Sequence, residues 1–168
     1  NTLVLFMGDN GSPRSIRTRC AGRTVRGGKS KPTHAGSHVP FIAWGPGIVT
    51  GGRVDPHLVS TVDVFATLAD ATGADASTAL DSRSFWDRLR GSVTPTRDAV
   101  AFHHHPRPHT RPQQTALRWA RDARWQLFED GRLYDVLADP DLERPVETDA
   151  ARAQLRAALD QLPRPEAD

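Results

Sequence analysis

Cysteine, lysine and long apolar runs are all scarce in this sequence. Cys20 is the only cysteine, which excludes an internal disulfide and a four-thiolate zinc site and leaves the redox compartment unread. The longest apolar runs, Leu3 to Met7 and Val39 to Trp44, fall far short of the ~20 residues of a membrane-spanning helix. No initiator methionine or charged leader precedes Asn1-Thr2-Leu3-Val4-Leu5-Phe6; the chain opens directly on a strand-like run, and the expectation is a piece of a longer protein. That opening leaves the compartment undetermined, bacterial cytoplasm and periplasm both being open. What is present suits a folded unit: 168 residues, 38% hydrophobic, make one ordinary domain or a domain with a small appendage.

Acids are also missing from one long stretch. Arg14, Arg17, Arg19, Arg23, Arg26, Lys29 and Lys31 follow one another with no Asp or Glu between them, although the whole chain carries only +2. Two readings stay open. One is an anion-binding segment, for sulfate, phosphate or a polyanion; the other is a solvated loop balanced by acids elsewhere in the fold.

Patterning predicts an α/β fold. Leu3 to Gly8 is unbroken in hydrophobicity, as a strand covered on both faces would be, and ends in the turn Gly8-Asp9-Asn10-Gly11-Ser12-Pro13. Arg14 to Pro32 lacks a period and reads as a long loop. A second strand spans His38 to Trp44. Ser60 to Asp63 has capping-box spacing, and a helix follows to Gly73 with Val62, Phe65, Ala66 and Ala69 recurring at helical intervals and Leu68 widening the apolar face. A short helix over Ser84 to Leu89, a strand over Ala99 to His104 and a loop over Pro106 to Pro112 come next. Thr115 to Arg121, Arg124 to Glu129 and Arg132 to Val136 read as short strands, the last two joined by the hairpin signal Asp130-Gly131. Thr148 can cap a last helix presenting Ala151, Leu155, Ala158, Leu159 and Leu162, stopped by Pro163. The expected organisation is thus residues 1–98 as part of an α/β domain and 99–168 as a small antiparallel sheet with a helix.

Asp9-Asn10 sits at the carboxyl edge of the first strand, where open α/β sheets bind ligands, and offers hard oxygens suited to calcium or magnesium. Ordinary turn chemistry explains the same residues. Lys29 follows Gly27-Gly28, where the backbone can approach an anion closely, although the spacing is not that of a P-loop. His103 and His105 are the members of His103-His104-His105 that a strand would point the same way; rim contacts or surface polarity account for them better than an ion. Trp44, Trp86, Trp119 and Trp125 read as packing residues.

Taken in order, Asp9-Asn10-Gly11, the basic loop, Arg26-Gly27-Gly28-Lys29, Gly36-Ser37-His38-Val39-Pro40-Phe41-Ile42, Trp44-Gly45-Pro46-Gly47, Ser60-Thr61-Val62-Asp63 with Thr67-Leu68, and Arg132-Leu133-Tyr134-Asp135-Val136 with Asp139-Pro140 closely resemble the C-terminal portion of the sulfatase family. These are formylglycine-dependent sulfuric ester hydrolases of the alkaline phosphatase superfamily, and the resemblance spans most of residues 1–145. It implies that Asp9 and Asn10 are two ligands of calcium, with magnesium less favoured, and that Lys29 is a catalytic residue contacting the substrate's sulfate. A hydrated formylglycine would attack sulfur, and an acid would protonate the leaving alcohol. Asn10, where two-metal phosphatases usually carry His, favours the sulfatase branch.

Departures from the family pattern shape the expectation. The nucleophile motif C-x-[PA]-S-R does not occur in this sequence, and Cys20, in Arg19-Cys20-Ala21-Gly22-Arg23, has neither its serine nor its spacing. Ala66 stands where the family's helix has proline, and His34 where many members have an acid. The expectation is therefore a part that contributes calcium- and sulfate-binding residues, relies on a missing N-terminal half of the domain, and by itself turns over no sulfate ester. A non-catalytic polyanion-binding module and a phosphodiester or phosphonate hydrolase of the same superfamily are the alternatives. Nucleic acid is disfavoured as a partner, because no aromatic interleaves the basic stretch.

Overall fold

The computed structural model describes residues 1–20, 22–77, 81–104 and 116–162. It is an α/β structure of two compact units, each discontinuous in sequence: residues 1–6 with 41–100, and residues 7–40 with 101–168. One break falls beside the expected boundary at 98/99, while segment 7–40 groups with the C-terminal residues.

In the first unit β1 (Val4–Met7) pairs with β4 (Phe41–Trp44) in a two-stranded sheet. The expectation of a strand covered on both faces is not met within this unit, since Val4, Phe6, Ile42 and Trp44 are all exposed. Helix α2 (Asp63–Thr72) ends at Gly73, whose φ of 72° is the left-handed stop that glycine accepts without strain. Its buried side is only part of the apolar stripe the spacing predicts. Asp63, Ala66, Thr67 and Ala69 are inside, whereas Val62, Phe65 and Leu68 face out. The reason is polar. Asp63 accepts hydrogen bonds from Ser60 N and Arg83 N at 2.8 Å and is paired with Arg97, and Thr67 Oγ1 accepts one from Phe85 N at 3.0 Å. These bonds fix the helix against the chain leading into α3 (Trp86–Leu89).

The second unit is built on a four-stranded sheet, β5 (Val100–His104), β6 (Leu117–Arg121), β7 (Trp125–Phe128) and β8 (Leu133–Asp135), in that order. The β7–β8 turn is the expected Asp130-Gly131, with Gly131 at φ 94°. Side chains alternate across the sheet. Arg118, Ala120, Leu127 and Leu133 are buried on the face that meets α4 (Arg152–Gln161), whose Leu155 and Leu159 are fully buried; each such leucine contributes roughly 1.5–3 kcal/mol. Arg118 ties the layers together, donating to the carbonyls of Leu159 and Leu162. Trp119, Phe128 and Tyr134 form an aromatic cluster on the opposite face, where Phe102 stacks on Trp119 at 5.0 Å. Thr148 does not cap α4 itself: its hydroxyl accepts from Ala150 N in the preceding turn, and Ala151, at φ 58°, leads into the helix. The segments Pro106 to Pro112 and Pro163 lie outside the described residues.

The long loop expected over Arg14 to Pro32 is corrected. It contains an antiparallel hairpin, β2 (Arg17–Cys20) and β3 (Arg23–Arg26), in register Arg17↔Arg26, Thr18↔Val25, Arg19↔Thr24 and Cys20↔Arg23. Every described residue of both strands is exposed, so neither face carries the apolar alternation by which a strand announces itself.

Candidate metal and anion site

After β1, the turn Asp9 to Pro13 packs backbone against backbone on Gly27-Gly28 and on the one-turn helix α1 (His34–Ser37). Gly11 N donates to Gly36 O at 3.3 Å, Lys29 N to Ser12 O at 3.0 Å and Gly27 N to Ile16 O at 3.0 Å. A Cβ on Gly11 would lie 2.1 Å from Ala35 O, one on Gly28 2.6 Å from Ala35 C, and one on Gly36 2.1 Å from Lys31 O. Only glycine permits this approach. The segment bearing Asp9 and Asn10 is thereby locked to the segment bearing Lys29 through main-chain bonds.

Asp9 and Lys29 are exposed and Asn10 is half-buried. Among the described residues, no ion pair occupies Asp9 or Lys29. A carboxylate and a carboxamide not engaged in holding the fold fit a hard cation such as calcium. They are two donors of the six to eight oxygens such an ion takes, and no group of three His, Cys, Asp or Glu side chains able to hold a metal occurs among the described residues.

Beside this loop lies a cluster that motif reading left without a role. His38 Nδ1 and His34 Nε2 are 2.8 Å apart, their rings 4.4 Å between centroids. Gln126, fully buried on β7, donates from Nε2 to Pro32 O at 2.9 Å, and His34 N donates to Pro140 O. Arg121, directly across the β6–β7 ladder from Gln126, points to the same face. Burial first, then the charges of His38 and Arg121, pushes the His34 pKa down to about 4, and burial and Arg121 lower that of His38 as well. Burial lowers the pKa of Arg121 as well. The i, i+4 spacing of His34 and His38 was the visible signal; their cationic neighbour arrives from far along the chain.

The pH dependence follows in sign. His34 takes up its proton near pH 6.5 when unfolded and near pH 4 when folded, so its contribution to stability is complete above about 6.5 and is lost as pH falls toward 4. Between about pH 6.5 and 5 the loss is expected to be about 1 kcal/mol, allowing for solvent screening of a half-exposed ring. Urea midpoints at the two pH values measure it. His34→Gln is expected to flatten the difference, and an unchanged difference contradicts the assignment.

The other sequence candidates lie apart from this chemistry. Cys20 is an exposed free thiol on β2. His103 is exposed, His104 meets the edge of Trp119 at 6.4 Å, and His105 lies outside the described residues.

The sulfatase family model matches residues 1–74. An arylsulfatase of Hemicentrotus pulcherrimus is 32% identical over 99 residues, 56% of this chain and 18% of that protein. A steryl-sulfatase of Mus musculus is 30% identical over 136 residues, 76% of this chain and 21% of that protein. Among solved structures, a putative sulfatase from Bacteroides thetaiotaomicron matches at TM-score 0.65 and 25% identity, covering 94% of this chain and 35% of that one. A 2-O GAG sulfatase matches in fold with the same TM-score at 24% identity, covering 94% of this chain and 35% of that one. The chain spans about a fifth of the length of these curated relatives.

Proposed function

Because the chain belongs to the sulfatase family, we propose that it supplies the cation- and sulfate-binding part of a sulfuric ester hydrolase site. Asp9 and Asn10 are its metal ligands and Lys29 its sulfate contact. The observation that carries this reading is the bond from Lys29 N to Ser12 O, within the glycine-packed loop, which ties the lysine to the turn of Asp9 and Asn10.

Asp9 and Asn10 would hold calcium, which supplies positive charge against the sulfate oxygens. Lys29 adds a point charge to the same oxyanion, on a backbone that needs little reorganisation as charge develops. Formylglycine, the family's nucleophile, is not encoded in these residues, because C-x-[PA]-S-R is absent. The reading therefore assigns this chain binding and electrostatic stabilisation, and the substrate is a sulfate ester.

Calcium titration tests it. Two ligands support weak binding, on the order of 10⁻⁴–10⁻³ M or weaker, so the thermal midpoint of the chain is expected to rise in millimolar calcium. Asp9→Ala is expected to abolish the rise. A rise that survives Asp9→Ala, or no rise at any calcium concentration, overturns the metal assignment. With an aryl sulfate the chain by itself is expected to release no sulfate, and calcium-dependent release would contradict the division of roles.

A further inference from the structure

The hairpin that replaces the expected loop sorts its arginines by face. Register places Arg17, Arg19 and Arg26 together on one side with Thr24, while Arg23 lies on the other with Thr18, Cys20 and Val25. Arg17 and Arg26 are directly opposite, a like-charge pairing that costs stability in a sheet unless an anion offsets it. None of Arg14, Arg17, Arg19, Arg23 and Arg26 forms an ion pair among the described residues. Arg26 is positioned by its bond from Nε to Arg14 O at 2.8 Å. The hairpin is anchored at its base to the Lys29 loop, through Gly27 N to Ile16 O.

We propose that the Arg17, Arg19 and Arg26 face binds a polysulfated polysaccharide chain. Arginines whose Cβ atoms stand roughly 5–7 Å apart along and across the ladder can meet several anionic groups at once, which a lone sulfate monoester does not offer. Arginine is suited to this because its planar fork can bond two oxygens of one oxyanion. Single-stranded nucleic acid fits less well. No aromatic residue lies between Arg14 and Lys31 to stack a base. Hairpin binding stands on the register and charge alone.

Heparin affinity of the whole chain, measured in chelator over a salt series, tests the proposal. The triple variant Arg17→Gln/Arg19→Gln/Arg26→Gln is expected to bind at least about tenfold more weakly, with a shallower salt dependence. Arg23→Gln, on the opposite face, is expected to change binding less than about twofold. Far-UV circular dichroism checks that the variants fold, and the triple Arg→Lys variant is expected to recover only part of the affinity, because lysine keeps the charge without the two-pronged fork. Heparin binding by the triple Gln variant within twofold of the parent overturns the proposal. So does tighter binding of a single-stranded oligonucleotide of equal charge than of heparin. If calcium fails to act through Asp9 while the hairpin still selects heparin, the sulfatase site fails and the polyanion surface stands.

Discussion

Replacing Asp63 by asparagine is expected to lower the stability of the first unit by about 3–5 kcal/mol, the cost of breaking a buried ion pair by removing one charge. Asp63 is fully buried, and its carboxylate receives Arg97 Nε at 2.7 Å together with a second guanidinium contact. Ser60 N and Arg83 N complete its coordination at 2.8 Å each. Asparagine keeps the shape but turns an amide donor toward groups that are themselves donors, and Arg97, largely buried, is left without its counter-charge. A capping box alone contributes only about 1 kcal/mol, so the measurement separates helix capping from buried pairing. Urea unfolding followed by circular dichroism is the test, with the exposed Thr61→Ala expected within about 0.5 kcal/mol of the parent. A loss under about 1 kcal/mol for Asp63→Asn would mean that water reaches Arg97 and that the pair does not hold the helix.

The same residue explains why Phe65 and Leu68 of α2 face outward while Ala66 and Ala69 are buried. Hydrophobic periodicity places Phe65 and Leu68 inside, but a buried Asp63 and Thr67 carry hydrogen bonds that no hydropathy pattern counts, and they turn the helix. Where packing is apolar the reading holds. The Asp130-Gly131 hairpin is legible from its turn residues, and the Leu155 and Leu159 stripe of α4 because that helix buries one face only. The arginine hairpin was not legible, since strands exposed on both faces leave no period. For the candidate site, Asp9, Asn10 and Lys29 stand out from residue type and glycine context. The main-chain packing between them depends on Gly11, Gly28 and Gly36 meeting in space, which spacing alone does not disclose. The pairing of His34 with His38 is local and readable, but the burial and cationic neighbour that depress their pKa values come from the distant β6–β7 ladder.

Joined to a nucleophile-bearing sulfatase N-terminal portion, this chain with Lys29→Ala is expected to lower kcat/KM for an aryl sulfate by about 10²–10³, the usual loss when one preorganised donor to a reacting oxyanion is removed. The effect divides between kcat and KM in a way that tests the mechanism. A lysine that contacts the sulfate equally before and during reaction raises KM alone, whereas one that meets growing charge on the oxyanion lowers kcat too. The second pattern is expected, because the Lys29 backbone is held by Ser12 before substrate arrives. Lys31 provides the discriminating control. It is exposed, lies two residues farther along and shares the loop's charge, its own N–H being bound to Gly28 O at 2.8 Å. Lys31→Ala is expected within about threefold of the parent, a small surface effect. Equal losses at both positions would show that the loop acts through its summed charge, and the assignment of a point contact to Lys29 would fall.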